Sequence, residues 1–332
     1  MKAYASLTER GQARRLRGLA FNALKHYDLE VSRLSLITNS VNGIFRLDTR
    51  SGGKWILRVS LPEGGHSIEH VEAEMDWLEA LSNDTSLSVP RPFPARNGRL
   101  VIQAKAPGVP EPRLCAVFSW VPGTDLARHI SPTTMAGLGE LAARLHQHAL
   151  TYAPSPKHSL LRFDKVFLFP EPVILFEKQF ATLFTPQRRM IFQKAVDWAQ
   201  DSIDQLKASG EAMRIVHGDL HQWNVRFSHG VLSPIDFEDL MWGWPVQDIA
   251  TTLYYLMDME TFPTLRAAFQ EGYTRQTDWP ERHVGEIDSF IAARGLGLAN
   301  FVLNYPDPAR VQAMEFMERI ERRLRKLMGN IL

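Results

Sequence analysis

The stretch His217-Gly-Asp-Leu-His-Gln-Trp-Asn224, continued by Ser233-Pro-Ile-Asp-Phe-Glu-Asp239, decides how this chain of 332 residues is read. Met213 to His217 reads as a strand that runs into Gly218, so a tight turn should present Asp219 on a loop. Asn224 follows within the same loop, and the runs 224–227 and 231–235 flank Ser228-His-Gly230 as the two arms of a hairpin. That hairpin would return Asp236 toward the loop. Two acids and an amide in this pattern suit phosphoryl transfer, which needs a group to orient the attacking hydroxyl, divalent metal to neutralise phosphate charge, and cations to hold a nucleotide. An amide oxygen and a carboxylate are hard ligands of the kind Mg²⁺ prefers.

Working outward, three β-rich runs at Arg33–Thr38, Ile44–Thr49 and Lys54–Ser60 are separated by turn-forming Asn39-Ser-Val-Asn-Gly43 and Arg50-Ser-Gly-Gly53, which predicts an antiparallel meander. A helix is expected over 67–82, with Ser67 as N-cap and Ile68, Val71, Met75, Leu78 and Leu81 on one stripe. Further strands are expected at 99–104 and 113–121. Val121-Pro-Gly-Thr-Asp125 breaks this pattern, and helical periodicity dominates afterwards, at 133–149, 176–208, 246–260, 262–275, 283–302 and 308–328. The Pro-bearing stretch 152–175 reads as an ordered insertion. The fold class is therefore α+β. A surface helix at 8–26 and a small antiparallel sheet with one packed helix make an N-terminal lobe over 1–120, and 121–332 make a mainly helical lobe. A cleft between two lobes is the expectation for a chain of this length.

Composition narrows the function classes. Hydrophobic content of 45% and charged content of 23% are ordinary for a globular protein. A formal net charge of +1 without long single-sign runs indicates neither nucleic acid nor an anionic membrane as partner. No run of 18 apolar residues suggests a membrane span. The lone Cys115 cannot form an internal disulfide, and a reducing cytoplasm fits it best.

His217-Gly-Asp-Leu-His221-x-x-Asn224 with Ile235-Asp236 resembles the aminoglycoside phosphotransferase and choline kinase-like family, within it the bacterial small-molecule kinases that include type II homoserine kinases. The resemblance implies a bilobal protein-kinase-like fold, Asp219 as catalytic base, Asn224 and Asp236 as Mg²⁺ ligands, and ATP or GTP as donor. It also implies adenine bonding to backbone at Ser119-Trp120-Val121, a nucleotide-covering loop at Asn39–Gly43 that includes Asn42, and a brace of the catalytic loop by Asp248. Read from residues alone, 39–43 is an ordinary hairpin turn and Asp248 a carboxylate favoured by a helix N-terminus. His217 and His221 are expected to support the loop.

The N-terminal half offers a separate check. At 100° per residue Glu74 falls between Leu81 and Leu78 on the inward side of its helix, and an inward carboxylate demands a cation. Arg58 is the natural partner. The resemblance aligns Arg58 with the lysine that usually holds phosphate, so this arginine either clamps phosphate with Glu74 behind it or is structural only.

Glu238, Asp239, Trp242, Trp244 and Trp223 place acids beside aromatic faces, which suits a small hydroxylated, amine-bearing acceptor; the alternative is that Trp242-Gly-Trp244 only packs a turn. A monomer or homodimer is expected. Rival readings are a metal-dependent phosphoesterase using Asp219 and His221, a non-catalytic nucleotide-binding module, and a kinase acting on protein hydroxyls.

Overall fold

The computed structural model describes residues 2–39, 42–60, 66–169, 171–304 and 310–329. It divides into two compact units: one of residues 1–123, 152–159 and 233–238, the other of 124–151, 160–232 and 239–332.

The first unit is built on an antiparallel sheet. Strands β1 (Val31–Asn39), β2 (Gly43–Thr49) and β3 (Lys54–Val59) form the meander; β4 (Pro92–Phe93), β5 (Val101–Ala104) and β6 (Arg113–Ser119) complete it in the order β1-β2-β3-β6-β4, with β5 also on β6. Alternation along β2 buries Phe45 and Leu47, which pack with Leu57, Val117 and Leu19 into one apolar core. Leu19 comes from α1 (Glu9–Leu24), whose start is fixed by Thr8 accepting the Gly11 amide at 3.3 Å. Cys115 lies in this core, 1% exposed. Helix α2 (Ile68–Asp84) begins where Ser67 accepts the His70 amide, and its inward face buries Val71, Met75, Leu78 and Leu81 together with Glu74.

The second unit contains β7 (Thr124–Asp125), α3 (Pro132–Thr151), α4 (Pro186–Ser209), β8 (Arg214–Val216), β9 (Val225–Ser228), β11 (Met241–Gly243), α5 (Pro245–Tyr254), α6 (Phe262–Thr274), α7 (Glu286–Asn304) and α8 (Arg310–Met328); the chain leaves it within β10 (Val231–Pro234). Helices α3 and α6 approach closely because of Gly272: a Cβ there would lie 1.8 Å from the Ala136 carbonyl oxygen.

Two expected helices are shorter than their apolar periodicity implies. The one expected from 176 starts at Pro186 because Thr185 caps it and the proline ring suits its first turn. The one expected over 246–260 ends at Tyr254. Among the described residues no helix is long and apolar enough to cross a membrane.

Candidate active site

Strand β8 pairs antiparallel with β11 and runs straight into the loop 217–224. Gly218 adopts φ +82°, and a Cβ on it would lie 2.1 Å from the Asp239 carbonyl oxygen, so glycine is required for both conformation and space. Asp248, in the first turn of α5, accepts the His217 amide at 3.1 Å and the Gly218 amide at 3.0 Å. His146 of α3 meets the same carboxylate at 3.1 Å and turns its other ring nitrogen to the Tyr273 hydroxyl. Burial alone would raise the Asp248 pKa, but the His146 hydrogen bond and the charges of His146 and His217 outweigh it and hold the group below the usual carboxylate range. Asp248 thus braces the turn that carries Asp219.

Asp219 sits 19% exposed, with protein donors on both carboxylate oxygens. Arg294, from α7, gives Nη2 to Oδ1. Asn224 Nδ2 donates to Oδ2 at 3.0 Å, and His221 Nε2 lies 3.2 Å from the same oxygen. Burial pushes this carboxyl up, yet Arg294, His221 and His217 together bring it below its ordinary value, so Asp219 is ionised at neutral pH. Asn224 also donates to the Asp219 carbonyl at 3.0 Å, and with its amide nitrogen so engaged its Oδ1 meets no donor among the described residues. That oxygen is suited to a hard cation. His217 is fully buried and His221 nearly so; their Nδ1 atoms accept the Asp219 and Trp223 amides at 3.4 and 3.3 Å, which shapes the loop.

A second cluster lies within the first unit. Arg58 of β3 and Glu74 of α2 are 5% and 1% exposed and pair through two hydrogen bonds, Nη1 to Oε1 at 2.8 Å and Nη2 to Oε2. Glu238 Oε2 stands 3.8 Å from Arg58 Nη1 and accepts from Asn42 Nδ2, while His70 Nε2 donates to the Glu238 carbonyl at 2.7 Å. Burial disfavours the charged arginine, but Glu74, Glu238 and Asp236 more than restore it, and the Arg58 pKa is raised. Asp236 is exposed and holds φ +64°, a left-handed conformation uncommon outside glycine. Ser40 and Val41 of the loop at 39–43 lie outside the described residues.

At Ser119-Trp120-Val121 the first two amides donate to Arg91 and Lys54 carbonyls at 2.8 and 3.2 Å. Among the described residues the Val121 amide has no backbone acceptor. Trp244 is 2% exposed and gives Nε1 to the Glu211 carbonyl, and Trp242 pairs in β11, so these two indoles pack the turn. Trp223 is different: it is 49% exposed and stands edge-on to His221 and Tyr255.

Arg294 and Tyr255 are absent from the sequence reading. One signal was there: Arg294 continues the stripe Ile287–Ile291 at helical spacing, so a cation interrupts a buried face.

The fold is kinase-like, and its loop brings together residues suited to phosphoryl transfer. A sequence profile of the phosphotransferase enzyme family matches residues 39–284, and the chain belongs to that family. It is 28% identical over 211 residues to an amicoumacin kinase of Bacillus subtilis (strain 168), a match covering 62% of this chain and 59% of that protein, and 24% identical over 258 residues to a hydroxylysine kinase of Mus musculus, covering 71% and 68%. The chain thus spans about three fifths of the first of these relatives. Among solved structures it resembles a microcompartment-associated aminopropanol kinase (TM-score 0.76, 20% identity, 93% of this chain and 97% of that one). It also resembles an amicoumacin kinase in complex with AMP-PNP, Ca²⁺ and Ami (TM-score 0.74, 18% identity, 95% and 96%). At these identities the likeness is one of fold.

Proposed function

We propose that this protein transfers the γ-phosphate of ATP, or of GTP, to a hydroxyl of a small acceptor. The observation that carries this reading is Asp219: an ionised carboxylate oriented by Arg294, His221 and Asn224, on a loop pinned by Asp248. A carboxylate so held accepts a hydrogen bond from the acceptor hydroxyl and aims its oxygen. That oxygen forms the new bond to the γ-phosphorus as the bond to the leaving diphosphate oxygen breaks, and the hydroxyl proton is released. Because the transition state is loose, orientation matters more than base strength, and a depressed pKa is compatible with the role.

Asn224 and Asp236 each offer an oxygen to a divalent cation, Mg²⁺ by the hardness of these ligands, and the cation would neutralise phosphate charge. Arg58, with Glu74 behind it, and Asn42 are assigned to the phosphates, and the Val121 amide with the backbone at Ser119 and Trp120 to the nucleotide base. Names of relatives and fold neighbours include hydroxylysine and aminopropanol kinases, which supports amine-bearing alcohols as acceptors. The exposed Trp223 face fits the same class. The single buried thiol suits a reducing cytoplasm.

The test is Asp219→Ala assayed against a panel of hydroxyl compounds with ATP and Mg²⁺. Nucleotide binding should persist while phosphate transfer disappears. Unchanged turnover would remove Asp219 from the reaction.

A further inference from the structure

The formal net charge of +1, which argues against an anionic membrane for the chain as a whole, averages over an uneven distribution. Within residues 1–26, Lys2, Arg10, Arg14, Arg15, Arg17 and Lys25 stand against one acid, Glu9. Helix α1 sorts these cations onto one side. At about 100° per residue, Arg10, Arg14, Arg17, Phe21 and Lys25 fall inside an arc of about 80°, and all five are exposed. The opposite side of the helix is buried in the core of the first unit. From Arg10 to Lys25 the stripe runs about 22 Å at 1.5 Å per residue. A solvated surface ordinarily intersperses both signs; this one carries cations and a phenyl ring.

Among the described residues no carboxylate lies within ion-pair distance of Arg10, Arg14, Arg17 or Lys25. The next acid along the chain, Asp28, is turned to Arg96 at 3.7 Å. Apolar side chains stand beside the cationic line. Phe21 is 47% exposed within it, with the Arg17 guanidinium 5.3 Å from its ring centroid. Arg17 also gives Nη1 to the Leu34 carbonyl at 2.7 Å, which ties the helix to β1, the strand that carries Leu36 and Ile37, 37% and 52% exposed.

Charge and apolar contact together select the partner. Strand β1 ends its sheet, but Arg17 takes the Leu34 carbonyl and register shifts interrupt the strand at Val31/Arg33 and Leu36/Thr38, so an added peptide strand fits poorly. Leu36 and Ile37 gain nothing from a phosphodiester backbone. The boundary between headgroups and acyl chains takes cations and apolar side chains at once.

We propose that α1 and the adjoining part of β1 form a docking surface for a bilayer bearing anionic phospholipid, with Arg10, Arg14, Arg17 and Lys25 at the headgroup phosphates and Phe21 at the acyl boundary. The protein lies on the membrane, and no spanning helix is called for. The inference is independent of the phosphotransferase reading, because none of these residues belongs to the site described above.

Co-sedimentation of the full chain with vesicles tests it. The wild type should pellet with vesicles of equal parts phosphatidylcholine and phosphatidylserine and stay in solution with phosphatidylcholine alone. Salt at about 1 M, where the screening length is about 3 Å, should release most of it. A cation at the surface is worth roughly fivefold in partitioning, so the double variant Arg10→Gln/Arg14→Gln should bind roughly 25-fold more weakly. The pair Arg10→Lys/Arg14→Lys should bind like the wild type. Among the described residues neither arginine side chain is bonded to another part of the chain, so both variants keep the fold.

Equal pelleting with both kinds of vesicle overturns the proposal, and so does wild-type pelleting of the glutamine pair. A labelled DNA duplex and labelled poly-L-glutamate, read by fluorescence anisotropy, cover the other polyanions. Binding of either without binding to the phosphatidylserine vesicles overturns the bilayer and assigns the stripe to nucleic acid or to an acidic protein segment.

Discussion

Each unit holds an arginine against a carboxylate, and the two pairs are made differently. Arg58 and Glu74 are both buried and meet fork to fork through two nitrogens. Arg294 gives Asp219 one nitrogen, spends the same nitrogen on Tyr255, and among the described residues meets no acceptor at Nε or Nη1. A closed pair is satisfied and braces the scaffold; an incomplete one has capacity for a ligand. The first therefore fixes Arg58 in place for the phosphates assigned to it, and the second forms part of the reacting surface.

The largest effect should come from the incomplete side. Asp219→Ala should lower kcat by about 10³-fold or more, the order typical when an orienting or general-base group is lost. A folded Asp219→Ala protein that retains turnover would erase the distinction. The closed side should answer in stability. Glu74→Gln strips the buried Arg58 of its charge partner and should cost about 3–5 kcal/mol, read as a shift in the denaturant midpoint.

Asp248 tests the brace under the loop. Asp248→Ala leaves the His217 and Gly218 amides without their acceptor and should cost about 1–3 kcal/mol for each. Since the folded pKa of Asp248 is depressed, the stability it contributes is fully present above about pH 4, the unfolded value, and is lost as pH falls through the lower folded value. Acid unfolding should accordingly be shallower in Asp248→Asn.

The smallest effect belongs to Glu238, whose carboxylate occupies Asn42 and neighbours Arg58. If phosphates use those donors, Glu238→Gln should tighten nucleotide binding a few-fold, about 1 kcal/mol at most for a partly exposed charge. Calorimetry with ADP would detect it, and weaker binding would mean that Glu238 helps hold the nucleotide.

The first unit was legible because its signals are local. Turn residues delimit β1 to β3, Ser67 marks the start of α2, and helical phase alone turns Glu74 inward. The loop of Asp219 was legible for the same reason, since Gly218 and the hairpin at Ser228-His-Gly230 are short-range features. Arg294 was not. It reaches Asp219 across 75 residues of chain, and no spacing rule links a helix near the end of the second unit to a loop before its middle. The start of α4 was misplaced for a different reason: apolar residues at 176–184 imitate helical periodicity, and Thr185-Pro186 is the stronger signal. For Trp244 the residues left ligand face and turn packing both open, and the second holds, since its indole donates to the Glu211 carbonyl.

Cys115 has a practical consequence. Burial in the sheet core pushes its thiol up to about 12, so almost none is thiolate at neutral pH, and the thiolate is the form that alkylates. The wild-type chain is thus a nearly silent background for maleimide chemistry. Cysteines placed at exposed Arg50 in one unit and Gln193 in the other would carry a dye pair without first removing a native thiol, and energy transfer between them could report on the two units as nucleotide and acceptor are added.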